Sequence, residues 1–162
     1  MSPARVAVRI GEVRVARERS ILFTIGLGSC VAIVLYDAQA RIGGLAHAML
    51  PAPLRTHREP APGRCVSTAV PALLDEMLGQ GARETHIRAR LAGGAAMFAA
   101  LLPEDGLRLG TRNVDAARAA LASAGIPLVG EEVGGEHGRS VFLDTGNGSL
   151  VVRSAIRPDV CL

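Results

Sequence analysis

The chain has no lysine and no tryptophan, and only one tyrosine and three phenylalanines among its 162 residues. So few aromatics leave little platform for stacking unpaired bases, which argues against single-stranded nucleic-acid binding. Arginine alone supplies the positive charge, and the balance of 18 basic against 15 acidic residues gives a net charge of +3. The arginines are scattered, apart from a modest cluster at Arg55, His57, Arg58 and Arg64. That is not the basic stripe of a nucleic-acid binder. It suits an ordinary solvated surface, or one that steers an acidic protein partner.

Cysteine is also sparse. Cys30, Cys65 and Cys161 are odd in number and far apart, so no disulfide framework is implied and a reducing cytoplasm is expected. The first twenty residues are interrupted by charge and contain no signal-peptide core. No apolar run approaches a membrane span, so no membrane insertion is expected. About half the chain is apolar, enough for a proper core. The expectation is one soluble domain over residues 1–162.

The stretch VAVRIGEVRVAR, residues 6–17, alternates apolar and polar residues around a glycine and predicts one half-buried strand. ILFTIGLG predicts a strand running into a glycine turn. VAIVLY and IGGLAHAML predict two buried strands joined at DAQAR. Four prolines in residues 51–63 predict a loop. Helical spacing follows over residues 66–81, where Pro71 favours a start near Ser67 or Thr68. THIRARLAGGA predicts a strand entering a glycine turn, and MFAALL a short helical segment. RNVDAARAALASAG predicts a second helix, with Asn113 as its N-cap and Gly125 past its end. PLVGEEVGG, GRSVFLDTGNG and SLVVRSAI predict strands joined by turns. Many strands and about two main helices point to a single-domain α/β sandwich with mixed, largely antiparallel sheets.

The segment TIGLGSC, Thr24 to Cys30, places a thiol after a glycine turn. If VAIVLY and IGGLAHAML form a hairpin with Tyr36 and Arg41 flanking a four-residue turn, Cys30 falls opposite His47. Directly opposed side chains stand about 5 Å apart at Cβ. A thiol beside an imidazole is a minimal activated nucleophile, and an ion pair of the two would hold a thiolate at neutral pH. Gly26 and Gly28 would let a substrate carbonyl approach the backbone. The amides of Ser29 and Cys30 would then supply an oxyanion hole. The Thr24 hydroxyl would orient His47 by accepting its other ring N–H. Free cysteine is nonetheless among the most buried residue types, so core packing competes with catalysis as the reason for Cys30. No Cys or His pair has metal-ligand spacing, and the glycine turn lacks the third glycine and helix of a nucleotide site.

TIGLGSCVAIVLYD followed by GGLAHAMLP resembles the signature of the CheD family of chemoreceptor glutamine deamidases. RLAGGAAMF, LGTRNV and VGGEHGRSV resemble further family segments, in order and spacing, over roughly residues 5–157. The resemblance implies an α/β sandwich enzyme that hydrolyses selected receptor glutamines to glutamate and ammonia. It implies Cys30 as nucleophile, His47 as its base and Thr24 as the third member, with no metal or organic cofactor. It also implies chemoreceptor cytoplasmic domains as substrates and a CheC-type phosphatase as partner. Arg64–Cys65–Val66–Ser67 departs from the family, which has an aromatic and a carboxylate here. Two other readings stand beside it: a binding regulator of such a phosphatase with weak or no deamidase activity, and a papain-like hydrolase, which the short Cys-to-His spacing does not suit.

Overall fold

The computed structural model describes residues 1–54, 61–97 and 108–162. The middle of the proline-rich loop and most of the MFAALL segment lie outside the described residues. The described strands form two five-stranded sheets. Sheet 1 contains β1 (Ala4–Ala7), β3 (Ser20–Leu27), β8 (Arg139–Asp144), β9 (Leu150–Arg153) and β10 (Val160–Cys161), in that order. Sheet 2 runs β2 (Val13–Arg17), β5 (Ile42–Ala48), β4 (Val31–Asp37), β6 (Ile87–Gly93), β7 (Leu128–Val133). Pairing is antiparallel except at β1–β3 and β6–β7.

Two helices, α1 (Val66–Gly79) and α2 (Leu109–Ser123), pack on sheet 2. The layers are therefore sheet 1, sheet 2, helices. Every residue of β4 is buried because the strand has a core on each side. Val31, Ile33 and Leu35 face the helices, against Val70, Leu73 and Met77 of α1 and Val114, Ala117 and Leu121 of α2. Ala32 and Val34 face sheet 1, against Leu22, Leu27, Val141 and Leu143. A strand covered on both faces reads as a continuous apolar run, and that is how VAIVLY reads.

Three sequence expectations need correction. Residues 6–17 are not one strand: the chain breaks at Gly11, where φ is +82°, and sends β1 and β2 to different sheets. The first helix starts at Val66, earlier than expected. Cys65 is its extended N-cap residue, and the Cys65 carbonyl accepts the amides of Thr68 and Ala69. Asn113 is not an N-cap. α2 begins four residues before it, and Asn113 lies fully buried on the inner side of the helix.

Candidate active site

The site forms where the chain crosses from one sheet to the other. β3 belongs to sheet 1 and β4 to sheet 2, and Gly28, Ser29 and Cys30 bridge them. Before the crossing, β3 carries a bulge. Thr24 pairs with Val141 and Leu27 with Arg139, so β3 holds one residue more than its partner over this interval. Gly26 supplies the positive φ, +76°, and leaves open space where a Cβ would stand. Such bulges redirect side chains at the rims of sheets. At Gly28 the space is not open, because a Cβ there would meet Met97 Sδ at 3.1 Å.

Three hydrogen bonds fix the crossing. The Gly28 carbonyl accepts the Ala95 amide at 2.8 Å, and the Cys30 carbonyl accepts the Gly94 amide at 2.8 Å. The Ser29 carbonyl accepts Nδ2 of Asn113 at 2.9 Å. The same Asn113 nitrogen reaches the Met49 carbonyl at 3.1 Å, just past the end of β5. One buried amide thus ties the cysteine turn to the strand end that carries His47. Gly93 brings the third wall close: its φ is +105°, and a Cβ there would lie 2.4 Å from the Cys30 carbonyl oxygen.

Asn113→Leu is expected to leave two carbonyls unpaired in the interior. The expected loss is about 1–3 kcal/mol of stability, read by urea denaturation. A variant with the parent's midpoint and slope would show that these bonds do not hold the turn.

The β4–β5 hairpin is shifted by two residues from the register expected above. Ala32, not Cys30, pairs with His47, and the connecting turn is Ala38 to Arg41. Asp37 belongs to the ladder, and its Oδ1 accepts the Gln39 and Ala40 amides that shape the turn. A slip of two preserves the face, because side chains alternate with period two. Extending β4 back one residue places Cys30 on the side of Ala32 and His47, diagonal to His47 rather than opposite. Cys30 accordingly packs against the core between the sheets.

His47 is fully buried, and both its backbone groups are used. Its N–H donates to the Glu12 carbonyl at 3.2 Å, and its C=O accepts the Gly11 amide at 2.8 Å. Across the interface between sheets, Thr24 Oγ1 lies 2.7 Å from His47 Nδ1 and 2.5 Å from the Val8 carbonyl. A carbonyl only accepts, so the single hydroxyl proton goes to Val8. Nδ1 must therefore donate to Thr24, which leaves Nε2 as a bare lone pair. Nε2 is buried and has no hydrogen-bond partner among the described residues.

Burial decides the charge states. It lowers His47 from the ordinary 6.5 to about 4. It raises the Cys30 thiol, an effect its own backbone N–H offsets only in part. Desolvation disfavours the ionised form of each group. Burial thus favours the neutral thiol and imidazole over the ion pair expected from the sequence.

Other polar residues have structural roles. Arg139 is buried, paired with Glu132, and reaches back to the His137 carbonyl, fixing the Gly134–Gly138 turn. Cys65 is buried at the start of α1, and Ser67 is exposed. Two contributors were not found by sequence reasoning. The Val8 carbonyl fixes the tautomer, and no sequence signal reports a backbone oxygen. Asn113 clamps the turn, and its signal was an amide on an otherwise apolar helix face.

Two clefts flank the β3 bulge. One, of about 470 Å³, is lined by Val8, Ile10, Phe23, Thr24 and Ile25 among others. The other, of about 300 Å³, is lined by Gly26, Gly138, Arg139, Ser140 and Arg153 among others. Among the described residues, no helix is long and apolar enough to cross a membrane.

Residues 49–154 match the family model described as CheD chemotactic sensory transduction. The chain is 44% identical over 154 residues to the probable chemoreceptor glutamine deamidase CheD 2 of Geobacter metallireducens, covering 94% of this chain and 95% of that protein. It is 41% identical over 151 residues to the probable chemoreceptor glutamine deamidase CheD of Pyrococcus abyssi, covering 93% and 92%. Among solved structures it is similar to the hypothetical protein YfiH of Bacillus licheniformis, with a TM-score of 0.46 and 17% identity over 75% of this chain and 50% of that one. With relatives aligned over nearly its whole length and a family model matched over most of it, the chain belongs to the CheD family.

Proposed function

We propose that this protein is a chemoreceptor glutamine deamidase, with Cys30 as nucleophile, His47 as general base and acid, and Thr24 as the residue that holds His47. One observation carries the assignment of residues. The His47 tautomer leaves a bare Nε2 on the face that Cys30 shares. A free Nε2 lone pair is what a general base needs in order to take a proton from a neighbouring thiol.

The reaction begins from the neutral pair. As Sγ of Cys30 attacks the side-chain carbonyl of a glutamine, Nε2 takes the thiol proton. The carbonyl π electrons move to oxygen, where the Cys30 amide, already directed at its own sulfur, serves as a backbone donor. The open backbone at Gly26 gives the amide group room to approach. The tetrahedral species collapses, the C–N bond breaks, and the imidazolium gives its proton to the departing nitrogen, which leaves as ammonia. Water then attacks the thioester while Nε2 takes a proton from it. That proton returns to sulfur as the C–S bond breaks, leaving glutamate and free thiol. Thr24 accepts from Nδ1–H throughout, and that bond strengthens when the ring is charged.

The similarity of names among relatives supports receptor cytoplasmic domains as substrates. A role chiefly as regulator of a CheC-type phosphatase is the second reading, and it gives the Thr24–His47 arrangement no work. The test is intact-mass and peptide mass spectrometry of receptor cytoplasmic domains incubated with the protein or with Cys30→Ala. A gain of about one dalton per modified site, absent with the variant, is expected. No gain across the organism's receptors would favour the regulator, and cleaved chains would favour a protease.

A further inference from the structure

Asn113 is fully buried on α2, and the two protons of its Nδ2 both serve the cysteine turn and its surroundings. One goes to the Ser29 carbonyl at 2.9 Å and the other to the Met49 carbonyl at 3.1 Å. A reversed amide would set Oδ1 against two carbonyl oxygens, so these partners fix its orientation. Oδ1 then has no hydrogen-bond partner among the described residues. Two glycines let α2 close in on the turn. A Cβ at Gly110 would lie 2.5 Å from the Gly94 carbonyl oxygen, and one at Gly94 would strike Val114 Cγ2. Gly94 in turn donates its amide to the Cys30 carbonyl.

The Ser29–Cys30 peptide is trans, and a trans peptide is planar with its C=O and N–H pointing in opposite directions. Asn113 holds the carbonyl toward the helix layer. The Cys30 N–H is thereby turned the other way, into the layer between the sheets. Cys30 packs in that layer, on the face it shares with the fully buried His47. Two observations agree with this placement. The Cys30 N–H is directed at its own Sγ. Among the described residues, neither this N–H nor that of Ser29 donates to an oxygen.

We propose that Asn113 is a positioning residue for deamidation: by anchoring the Ser29 carbonyl it aims the Cys30 N–H at the oxygen of the glutamine amide as that oxygen becomes negative. The proposal rests on the deamidase reading. Both bonds of Asn113 are to backbone carbonyls, so it acts through the peptide that carries the donor. Its bond to Met49, two residues after His47, sets the turn of the nucleophile against the strand that carries the base. A donor fixed in advance needs no reorganisation when charge forms. A peptide free to rotate would have to be turned at every cycle.

Two reactions of Cys30 separate this role from a merely structural one. Deamidation of a receptor cytoplasmic domain, read by mass gain, builds negative charge on the amide oxygen. Alkylation by iodoacetamide, read by peptide mass spectrometry, displaces iodide from carbon and builds no oxyanion. Asn113→Leu removes both bonds, and Asn113→Ala leaves room for water on the freed carbonyls if the larger side chain prevents folding. Circular dichroism checks the fold of each. Both variants are expected to lose about 10²-fold in kcat with KM within about threefold, because the lost interaction forms only in the transition state. The alkylation rate of Cys30 and its pH dependence are expected to stay within about twofold of the parent. A kcat within about threefold of the parent would overturn the proposal. So would equal losses in deamidation and alkylation, which would make Asn113 a support of the fold alone. A raised KM with kcat kept would overturn it too, by placing Asn113 in substrate binding. The deamidase reading fails on a different result, a receptor domain that gains no mass with the wild-type protein, and the proposal falls with it.

Discussion

Cys30→Ser and His47→Gln are each expected to cut deamidation turnover by about 10³-fold or more, and the double variant is expected to be little worse than either. The near-equality is the informative part. A thiol that must pass its proton to Nε2 as it attacks has no function without the base. A base with no thiol to serve is equally idle, so the losses do not add. Serine keeps the shape at position 30 but is a far poorer acid, so the neutral imidazole no longer suffices to activate it. Thr24→Val sits one step back, because Thr24 touches His47 and not the substrate. It removes the acceptor for Nδ1–H and frees the ring to adopt the other tautomer, which puts a proton on Nε2. The expected loss is intermediate, and Thr24→Ser is expected to restore most of the activity because the hydroxyl returns. Multiplicative losses for Cys30 and His47 would mean that they act in separate steps on separate groups. Failure of serine to rescue position 24 would make Thr24 a packing residue.

The hairpin that carries Cys30 and His47 was legible because a strand with a core on each side can only be an apolar run, and because its turn is polar. Its register was misread by two residues because Asp37 looks like a turn residue. It is the last rung of the ladder, held there by amides from Gln39, Ala40 and the distant Arg83. The error left the cysteine and the histidine on one face only because it was even. The break at Gly11 was not legible. Alternation continues through it, and what divides the strands is a long-range bond from the Gly11 amide to the His47 carbonyl. Asn113 was misassigned for a related reason: an asparagine near a helix start is a capping signal, but the carbonyls it serves belong to Ser29 and Met49. The charge state of the site was furthest from view. A thiol near an imidazole suggests an ion pair, whereas burial of both groups between the sheets pushes each toward its neutral form.

That neutrality predicts two pH curves. In the first, iodoacetamide alkylation of Cys30, read by peptide mass spectrometry so that Cys65 and Cys161 are scored apart, is expected to climb steadily through neutral pH and beyond. Burial holds the thiol above its ordinary range, so the thiolate fraction keeps rising where an ion pair would already have saturated. A reactivity plateau between pH 5 and 8, abolished in His47→Gln, would establish the ion pair instead. The second curve is stability. His47 takes up a proton near 6.5 when unfolded and only near about 4 when folded, so between these values the unfolded chain binds more protons. Stability at high pH is therefore lost as pH falls through this window, by about 3 kcal/mol for a shift of this size, and no further below it. Carboxylates titrate nearby, so the quantity to measure is the difference between wild type and His47→Gln in urea midpoints across the window. That difference is expected to be flat above 6.5 and to move against the wild type toward 4. A flat difference throughout would mean that water or the thiol already compensates the imidazolium in the folded protein. The bare Nε2 on which the mechanism rests would then have a partner.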